Sequence, residues 1–443
     1  MRIASLACAL ALAACGTNNS GNGTSKDARE FVVRVENIAP WTLLKVSSQQ
    51  VKTNTLMGTA APGEIYEIRF TAGPGHSLMF ATTLVEANDW FFALDPAGLP
   101  LYNNGTPISG DITNLVKLWD AGTELNQELG VGNATVLNQP SRDYGAPDPD
   151  NRVRLVTETT PAVASMIRVT LLPGTTVGQF VLRIENVSND NTLQTSVGPK
   201  PIHIAPPVWT LSRNINTLFE ADHAVPANGL GTYAETASPD LLTTTLRFER
   251  GVSTSLGRGV FLVHRDPGPL FIPESDDFGL GLEQLAEDSD ESALLANLQS
   301  GDRDEAAVGA LNTPVGMSSA SIAAPGQAYE AHLKARPGDK LAIAMAFVAS
   351  NDWFFGSPPE GIPLFLGDFP RWEDVTPDMR LFDVGTEADE ELDVGLSTGV
   401  QQAMPNTGRK DGITSVREVT AERYSTLINQ HIRVTLTPIE KIQ

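Results

Sequence analysis

Two aspartates beside large aromatic residues stand out because the chain contains the same arrangement twice. The motif at 88–92, Asn-Asp-Trp-Phe-Phe, places Asp89 before the aromatic residues, and Asp120 later opens an Asp-x-Gly-Thr-Glu turn. The same two motifs return at Asp352 and Asp383, each with an offset of 263 residues. The loop between the motifs therefore has one length in both copies, which indicates that something fixes the distance between the two acids.

Two neighbouring carboxylates repel each other and raise each other's pKa unless a cation, hydrogen-bond donors or a shared proton relieves the repulsion. Calcium is one such cation, because it binds six to eight oxygen ligands from carboxylates and carbonyls. In a second interpretation each aspartate caps its own turn and never meets the other. In a third, a pair such as Asp89 and Asp120 serves as acid and base in a surface hydrolase that acts on glycan or lipid.

Motifs of other enzyme classes are missing from the sequence. It contains no Gly-x-Ser-x-Gly, no His-Glu-x-x-His and no phosphate-binding glycine-rich loop. No two of the six histidines have the spacing of metal ligands. We therefore predict that the protein is not an enzyme.

The N-terminus has the features of a secretory signal. Met1-Arg2 precedes an apolar run over 3–14, which is too short to span a bilayer and ends in Leu-Ala-Ala before Cys15. This ending resembles a bacterial lipobox, so we predict a signal peptide over 1–15, acylation of Cys15, and a flexible tether over 16–29. An ordinary secretory signal is the alternative. The expected location is extracytoplasmic, on a bacterial outer membrane or cell surface.

Composition narrows the classes of partner. The chain of 443 residues has 53 acidic and 31 basic residues and a formal charge of −22, so we expect no nucleic acid partner. No second long apolar run follows the signal, so lipidated Cys15 is the predicted membrane attachment. The cysteines are Cys8 and Cys15 alone. A mature chain starting at Cys15 would therefore have no internal disulfide.

Short alternating segments separated by Pro-Gly turns predict an all-β fold. The strand at 31–38 is repeated at 180–187 with an offset of 149, and the strands that follow Pro62-Gly63 are repeated after Pro325-Gly326 with an offset of 263. We predict two tandem antiparallel β-sandwiches, over 30–174 and 178–440.

The two offsets differ by 114 residues, which predicts a large insertion near the front of the second sandwich, over 188–320. Inside it, a segment at 207–235 is repeated at 259–287 with an offset of 52. The later copy, together with 292–298, has the pattern of short helices.

Five motifs follow one another in the chain: a Val-Glu-Asn strand, a Val-Phe-Leu-Val-His strand at 260–264, a Gly-Leu-Glu-x-Leu-Ala-Glu segment at 281–287, then Asn-Asp-Trp-Phe and Asp-x-Gly-Thr-Glu. This order resembles the spondin N-terminal domain, particularly its bacterial versions. The resemblance is strongest over 62–132 and 260–395. It implies C2-like β-sandwiches with a calcium site, used in extracellular adhesion or recognition and not in catalysis. The partner would be an unidentified extracellular protein or glycan. The first unit departs from the family pattern because the histidine-containing strand and the Leu-Ala-Glu segment are missing from its predicted range.

The resemblance also implies which acids bind calcium. They are Asp89, Asp95 and Asp120 in the first unit, and Asp352 and Asp383 in the second. Pro358 stands where Asp95 would be, and Glu360 is a substitute from the same loop. Because proline offers no side-chain ligand, calcium is expected to bind more strongly to the first unit.

Overall fold

The computed structural model describes residues 28–39, 43–176, 178–213, 218–251, 255–265, 270–300, 307–399, 401–402, 404, 406–419 and 428–439. The predicted signal peptide, the lipidation site Cys15 and most of the tether lie outside these residues. Within them, no helix is long and apolar enough to cross a membrane.

Up to residue 251, the described residues form fourteen strands and three α-helices. They are β1 (Arg29–Asn37), β2 (Lys45–Ser48), β3 (Ile65–Thr71), β4 (His76–Thr83), β5 (Trp90–Ala93), β6 (Leu99–Pro100), β7 (Tyr102–Asn103), β8 (Thr106–Pro107), β9 (Gly110–Asp111), β10 (Lys117–Asp120), β11 (Arg154–Leu155), α1 (Val163–Met166), β12 (Ile167–Pro173), β13 (Gln179–Asn186), β14 (Val208–Arg213), α2 (Leu230–Thr236) and α3 (Asp240–Arg247).

The described residues after 251 add twelve strands and two α-helices. They are β15 (Gly259–His264), α4 (Leu282–Asp288), α5 (Ser292–Ser300), β16 (Val308–Leu311), β17 (Ala328–Ala335), β18 (Lys340–Ala346), β19 (Trp353–Gly356), β20 (Ile362–Pro363), β21 (Phe365–Leu366), β22 (Phe369–Pro370), β23 (Glu373–Asp374), β24 (Arg380–Asp383), β25 (Arg417–Glu418) and β26 (Ile432–Ile439).

These strands form two β-sandwiches of the same design, which confirms the predicted all-β class. Each has a four-stranded sheet, in the order β3-β13-β12-β9 or β17-β1-β26-β23. Each also has a larger sheet, along β11-β10-β5-β4-β14-β2 or β25-β24-β19-β18-β15-β16. All pairings between these strands are antiparallel. We call residues 43–251 sandwich 1, and residues 29–39 with 255–439 sandwich 2.

The strand pairing contradicts the predicted boundaries at 30–174 and 178–440. The N-terminal strand β1 lies between β17 and β26, in the centre of a sandwich 2 sheet. Its sequence repeat β13 lies between β3 and β12 in sandwich 1. Both strands present the same alternating apolar face. Strand periodicity predicts the buried face of each strand correctly, but it does not determine which sheet the strand joins.

The predicted insertion at 188–320 is also wrong as a single insertion, because its two halves belong to different sandwiches. In sandwich 1, Phe219 packs against Phe91 and Trp119, with ring centroids 5.3 and 4.9 Å apart. In sandwich 2, Phe271 packs in the same way against Phe354 and Phe382, at 5.1 and 4.5 Å. Each sandwich therefore has its own copy of the segment that repeats with an offset of 52.

All three sequence offsets now have one explanation. In the chain, sandwich 1 lies entirely between β1 and β15, so one sandwich is inserted into the other. The first unit does not lack the elements thought to be missing, because β14 and α2 occupy in sandwich 1 the places of β15 and α4 in sandwich 2.

The larger sheet of each sandwich is covered on both faces. One face packs against the smaller sheet, as in the contact of Phe70 on β3 with Trp209 on β14, at 5.3 Å between ring centroids. The other face packs against the helical segment, which in sandwich 2 forms an apolar cluster of its own. All residues of β4 are buried. Burial on both faces explains why β4 has a continuous apolar run in place of alternation.

A buried ion pair joins the two sandwiches. Asp393 of sandwich 2 accepts hydrogen bonds from Nε and Nη2 of Arg213 in sandwich 1, at 2.8 and 2.6 Å. His76 Nε2 lies 3.1 Å from the same carboxylate, and His76 Nδ1 accepts a bond from the Gly73 amide, so Nε2 carries the proton. The Asp393 and His76 side chains are each 1% exposed. The loop after Asp389 thus reaches into the other sandwich.

Candidate metal centre

The two repeated acids of each sandwich meet at one end of a strand pair. Asp89 precedes β5, and Asp120 ends β10, where it lies opposite Trp90. In sandwich 2, Asp383 lies opposite Trp353 in the same register, next to Asp352. All four aspartates are almost fully buried. The turn that follows requires glycine, because a Cβ on Gly122, at φ +70°, would lie 2.6 Å from a backbone oxygen.

The first aspartate of each pair binds the turn that starts at the second. Asp89 Oδ2 accepts hydrogen bonds from the Thr123 amide, the Thr123 hydroxyl and the Glu124 amide, at 2.7, 2.9 and 3.1 Å. Asp120 itself caps this turn by accepting from the Gly122 amide. The aspartates are therefore turn caps, but the interpretation in which they never meet is wrong.

The equivalent bonds in sandwich 2 join Asp352 Oδ2 to Thr386 and Glu387. The other carboxylate oxygen, Oδ1, is buried and accepts no hydrogen bond from the described residues in either Asp89 or Asp352. A buried carboxylate oxygen without a donor is costly, so each pair has one ligand atom that a cation could satisfy.

An arginine partly neutralises each pair. Arg154 Nη2 lies 2.8 Å from Asp120 Oδ2 and 2.6 Å from Asp148 Oδ2. Arg417 binds Asp383 and Asp411 in the same way. The second aspartate of each pair therefore has a cationic partner from the protein, whereas the first one does not bind this arginine.

The two sites differ six residues after the second aspartate, where Asn126 of sandwich 1 corresponds to Asp389 of sandwich 2. Trp90 Nε1 donates to Asn126 Oδ1 at 2.7 Å, and an indole N–H can only donate. The amide nitrogen of Asn126 must therefore face the acids, and it donates to Asp120 at 2.9 Å. An amide donor lies in sandwich 1 at the position that Asp389 occupies in sandwich 2.

In sandwich 2 the same tryptophan contact turns a carboxylate towards the acids. Trp353 Nε1 donates to Asp389 Oδ1 at 2.8 Å. One oxygen from each of Asp352, Asp383 and Asp389 lies within 4.8 Å of the other two. Calcium binds oxygen at 2.3–2.6 Å, so oxygens on opposite sides of one ion are about 5 Å apart. These three carboxylates fit a hard divalent cation, and among the described residues no other group of acids, cysteines or histidines has this geometry.

Burial raises the pKa of the acids in both sites. Desolvation, followed by repulsion from Asp120, raises the pKa of Asp89 to about 7. Desolvation raises the pKa of Asp352 to about 6, and desolvation with repulsion from Asp352 raises that of Asp383 to about 7, against the attraction of Arg417. Because these pKa values lie near 7, the carboxyl groups of each site lose their protons easily near neutral pH, and a cation can displace them.

Glu287 of α4 extends the network in sandwich 2. Its Oε1 lies 2.6 Å from the Thr386 hydroxyl, which is also 3.1 Å from Asp352. A hydroxyl has one proton, so Thr386 can donate to only one of these two carboxylates at a time, and a proton held by either acid relieves the conflict. Consistently, desolvation raises the pKa of Glu287 to about 8.

Asp95 does not belong to the site, which corrects its prediction as a ligand. It lies beyond the other end of β5, where Lys117 Nζ approaches its exposed carboxylate at 2.5 Å. Lys117 pairs with Ala93, three residues along the ladder from the pair formed by Asp120 and Trp90. Pro358 and Glu360 follow β19 at the corresponding far end. The Asp95-to-Pro358 difference therefore does not weaken the second site.

Several residues of the site were missed in the sequence, although the repeat contained a signal for them. Asp148 and Arg154 recur as Asp411 and Arg417 with the same offset of 263, as does the position of Asn126 and Asp389. Comparing the copies outside the two short motifs would have identified these positions. Glu287 had a signal of its own, because it repeats Glu235 with the offset of 52, but the segment that contains both was assigned to an insertion.

Comparisons of the chain with protein-family models, with curated proteins and with solved structures find no match.

Proposed function

We propose that this chain is a lipid-anchored surface protein whose second β-sandwich binds calcium and which serves adhesion or ligand recognition without catalysis. The observation that carries the calcium proposal is the convergence of Asp352, Asp383 and Asp389. Three carboxylates concentrate negative charge, and Asp352 Oδ1 adds a buried oxygen that accepts no hydrogen bond from the described residues. Hard oxygen ligands in this arrangement favour calcium over softer metals.

Sandwich 1 is proposed to hold its acids without a metal. Asn126 supplies a neutral donor to Asp120, and Arg154 supplies a positive charge. This reverses the order expected from the sequence, in which the first site was the stronger one.

The burial of the paired acids supports a role in binding rather than in hydrolysis. Asp89 is 0% exposed and Asp120 is 1% exposed. An acid and base of a glycosidase must reach the substrate on both sides of the scissile bond. Carboxylates enclosed by backbone amides and an arginine are better suited to stabilise the loops around them than to act on a glycan.

The surface location rests on the N-terminal sequence. The lipobox-like ending before Cys15 predicts acylation, and more than one acyl chain gives durable membrane attachment. The resemblance to spondin N-terminal domains supports adhesion, with an extracellular protein or glycan as partner. Radiolabelled palmitate should label the wild-type protein and not Cys15→Ala, and equal labelling of both would contradict lipid attachment.

Calcium titration of the mature chain tests the metal centre. Starting from chelated protein, we expect one binding event by calorimetry and a higher melting temperature in millimolar calcium. A ligand present at a hundredfold excess over Kd stabilises the folded state by about 2.7 kcal/mol. Asp389→Asn should remove most of this response, because the chain already uses asparagine at the equivalent position of sandwich 1.

Asp95→Asn is the matched control. Both variants exchange one carboxylate for an amide, but Asp95 is exposed and paired with Lys117. It should keep the full calcium response. A loss of response in Asp95→Asn, or an unchanged response in Asp389→Asn, would show that the metal centre is placed wrongly.

A further inference from the structure

A hairpin of sandwich 2 exposes three large apolar side chains. Strands β21 and β22 form this hairpin. The exposed apolar residues in it and directly after it are Leu366, Phe369 and Trp372, which are 65, 78 and 77% exposed. Leaving such residues in water is unfavourable, and clustered exposed apolar residues mark interaction surfaces. We call these three residues the apolar hairpin.

The same hairpin in sandwich 1 is polar. Strands β7 and β8 occupy the equivalent place, with the same offset of 263 as the acids. The three corresponding residues are Asn103, Thr106 and Ser109. The fold therefore does not require apolar residues here, and their presence in one copy points to a function of sandwich 2 alone.

The apolar hairpin lies at the end of the sheet where β1 begins. Strand β23, which follows the hairpin, pairs with β26 so that Glu373 is opposite Leu436, and Leu436 is opposite Val33 of β1. Residues before Glu373 therefore lie towards Arg29. A ring contact between Phe365 and Phe31, at 5.4 Å between centroids, confirms that the hairpin lies near the start of β1.

We propose that the apolar hairpin inserts into the interfacial region of the lipid bilayer, as a second attachment beside the N-terminal anchor. The choice of a membrane as the partner rests on the proposed lipid anchor. The thirteen residues from Cys15 to Asp27 have the polar composition of a flexible linker, and a flexible linker of that length would have an r.m.s. reach of about 20 Å. This keeps the Arg29 end of the sheet near the membrane.

The chemistry of the hairpin fits this occupant. Tryptophan is enriched at membrane interfaces, where its ring is buried among lipid and its N–H meets the headgroups. Arg29 of β1 and Lys334 of β17 lie at the same end of this strand pair as the apolar hairpin. Long basic side chains can extend to headgroup phosphates. Binding through apolar side chains should depend little on salt.

The test attaches the chain to vesicles chemically, so that it does not depend on acylation in the cell. A chain starting at Cys15 has one thiol, which couples to a maleimide lipid in phosphatidylcholine vesicles. Brominated acyl chains should then quench Trp372, because the other tryptophans of the described residues are buried. Trp372→Phe should abolish the quenching and leave the coupling unchanged.

The decisive variant exchanges the apolar hairpin for the residues of sandwich 1, Leu366→Asn with Phe369→Thr and Trp372→Ser. Because all three side chains are exposed, the melting temperature should be unchanged. Uncoupled wild-type chain should float with vesicles, and the triple variant should float at least about tenfold less. Equal flotation of the two, or no quenching in the coupled wild type, would overturn the proposal.

Loss of self-association in the triple variant, without any vesicle binding by the wild type, would instead identify a second copy of the chain as the occupant and also overturn it. If palmitate labelling fails while quenching succeeds, then the lipid anchor is wrong and the membrane-facing hairpin is retained.

Discussion

The acid sites of the two sandwiches share their fold, register and arginine, and differ at one atom position. Asn126 presents an amide N–H to Asp120, whereas Asp389 presents a carboxylate oxygen to Asp352 and Asp383. Trp90, which begins β5, fixes the orientation of Asn126, and Trp353, which begins β19, fixes that of Asp389. We infer that sandwich 1 stabilises its repelling acids with a built-in donor, whereas under the calcium proposal sandwich 2 requires an added cation.

A second difference follows in the same loop. In sandwich 1, Gly130 occupies the position of Asp393, and Lys200 Nζ of the same sandwich donates to the Gly130 carbonyl at 2.7 Å. In sandwich 2, Asp393 binds His76 and Arg213 of the other sandwich. Thus one loop closes its own sandwich in the first copy and joins the two sandwiches in the second.

The largest expected effect concerns β1 and β13, the repeated strands that lie in opposite sandwiches. Val33 of β1 and Leu182 of β13 are fully buried repeats of each other, in opposite sandwiches. Val33→Asp should destabilise sandwich 2, and Leu182→Asp should destabilise sandwich 1, each by roughly 4 kcal/mol or more, since a buried carboxylate has no partner there. Hydrogen exchange should show lost protection in β17 and β26 for Val33→Asp. Lost protection in β3 and β12 in that variant would restore the boundaries predicted from sequence.

The next effect concerns the buried ion pair that joins the two sandwiches. Asp393→Asn removes the charge that Arg213 needs while keeping the shape of the side chain. We expect a loss of about 3 kcal/mol, because breaking a buried ion pair leaves the remaining charge uncompensated. Scanning calorimetry should show the sandwiches melting more independently. The control is Glu128→Gln in the equivalent loop of sandwich 1, where the carboxylate binds the exposed Ser196. An equally large loss of stability in the control would contradict a special role for the ion pair between the sandwiches.

Asn126→Asp should convert sandwich 1 into a second calcium site. With chelator the variant should be less stable than wild type, because a third carboxylate replaces a donor. With calcium at a hundredfold excess over Kd it should regain about 2.7 kcal/mol. Calorimetric titration should show two binding events in place of one. If the variant gains no second event, the amide of Asn126 is not what keeps the first site free of metal.

The smallest effect is on pH dependence. Asp352 and Asp383 have pKa values of about 6 and 7, raised above the ordinary 3.8. Raised carboxylate pKa values mean that, without calcium, these groups reduce stability progressively as pH rises from about 4 to 7. Calcium competes with the retained protons, so its affinity should fall about tenfold between pH 8 and pH 6.

Titration in buffers of different ionisation enthalpy measures the protons released on binding. We expect about one proton per calcium near pH 6 and fewer at pH 8. More release at pH 8 than at pH 6 would contradict the assignment of these two carboxylates as ligands.

The spacing of the repeats predicted more of the site than did the resemblance to a known family. The offset of 263 correctly paired Asp89 with Asp352 and Asp120 with Asp383, because equal loop lengths in two copies reflect equal strand pairing. The ligand pattern carried over from the family included Asp95, which the ladder places at the other end of β5. Short motifs do not indicate which end of a strand a later residue reaches.

By itself, the sequence determined the all-β class, the alternating buried face of β1 and β13, and the correspondence of the acids between the two copies, since these depend on local periodicity and repeat spacing. Only the tertiary structure decided which sandwich receives β1 and β13. Their alternating faces are interchangeable, and the choice depends on contacts with strands up to about four hundred residues away, such as Glu36 with Arg433. It also decided that Asn126 faces Asp120 with its nitrogen, because that orientation comes from the Trp90 indole and not from any neighbour in the chain.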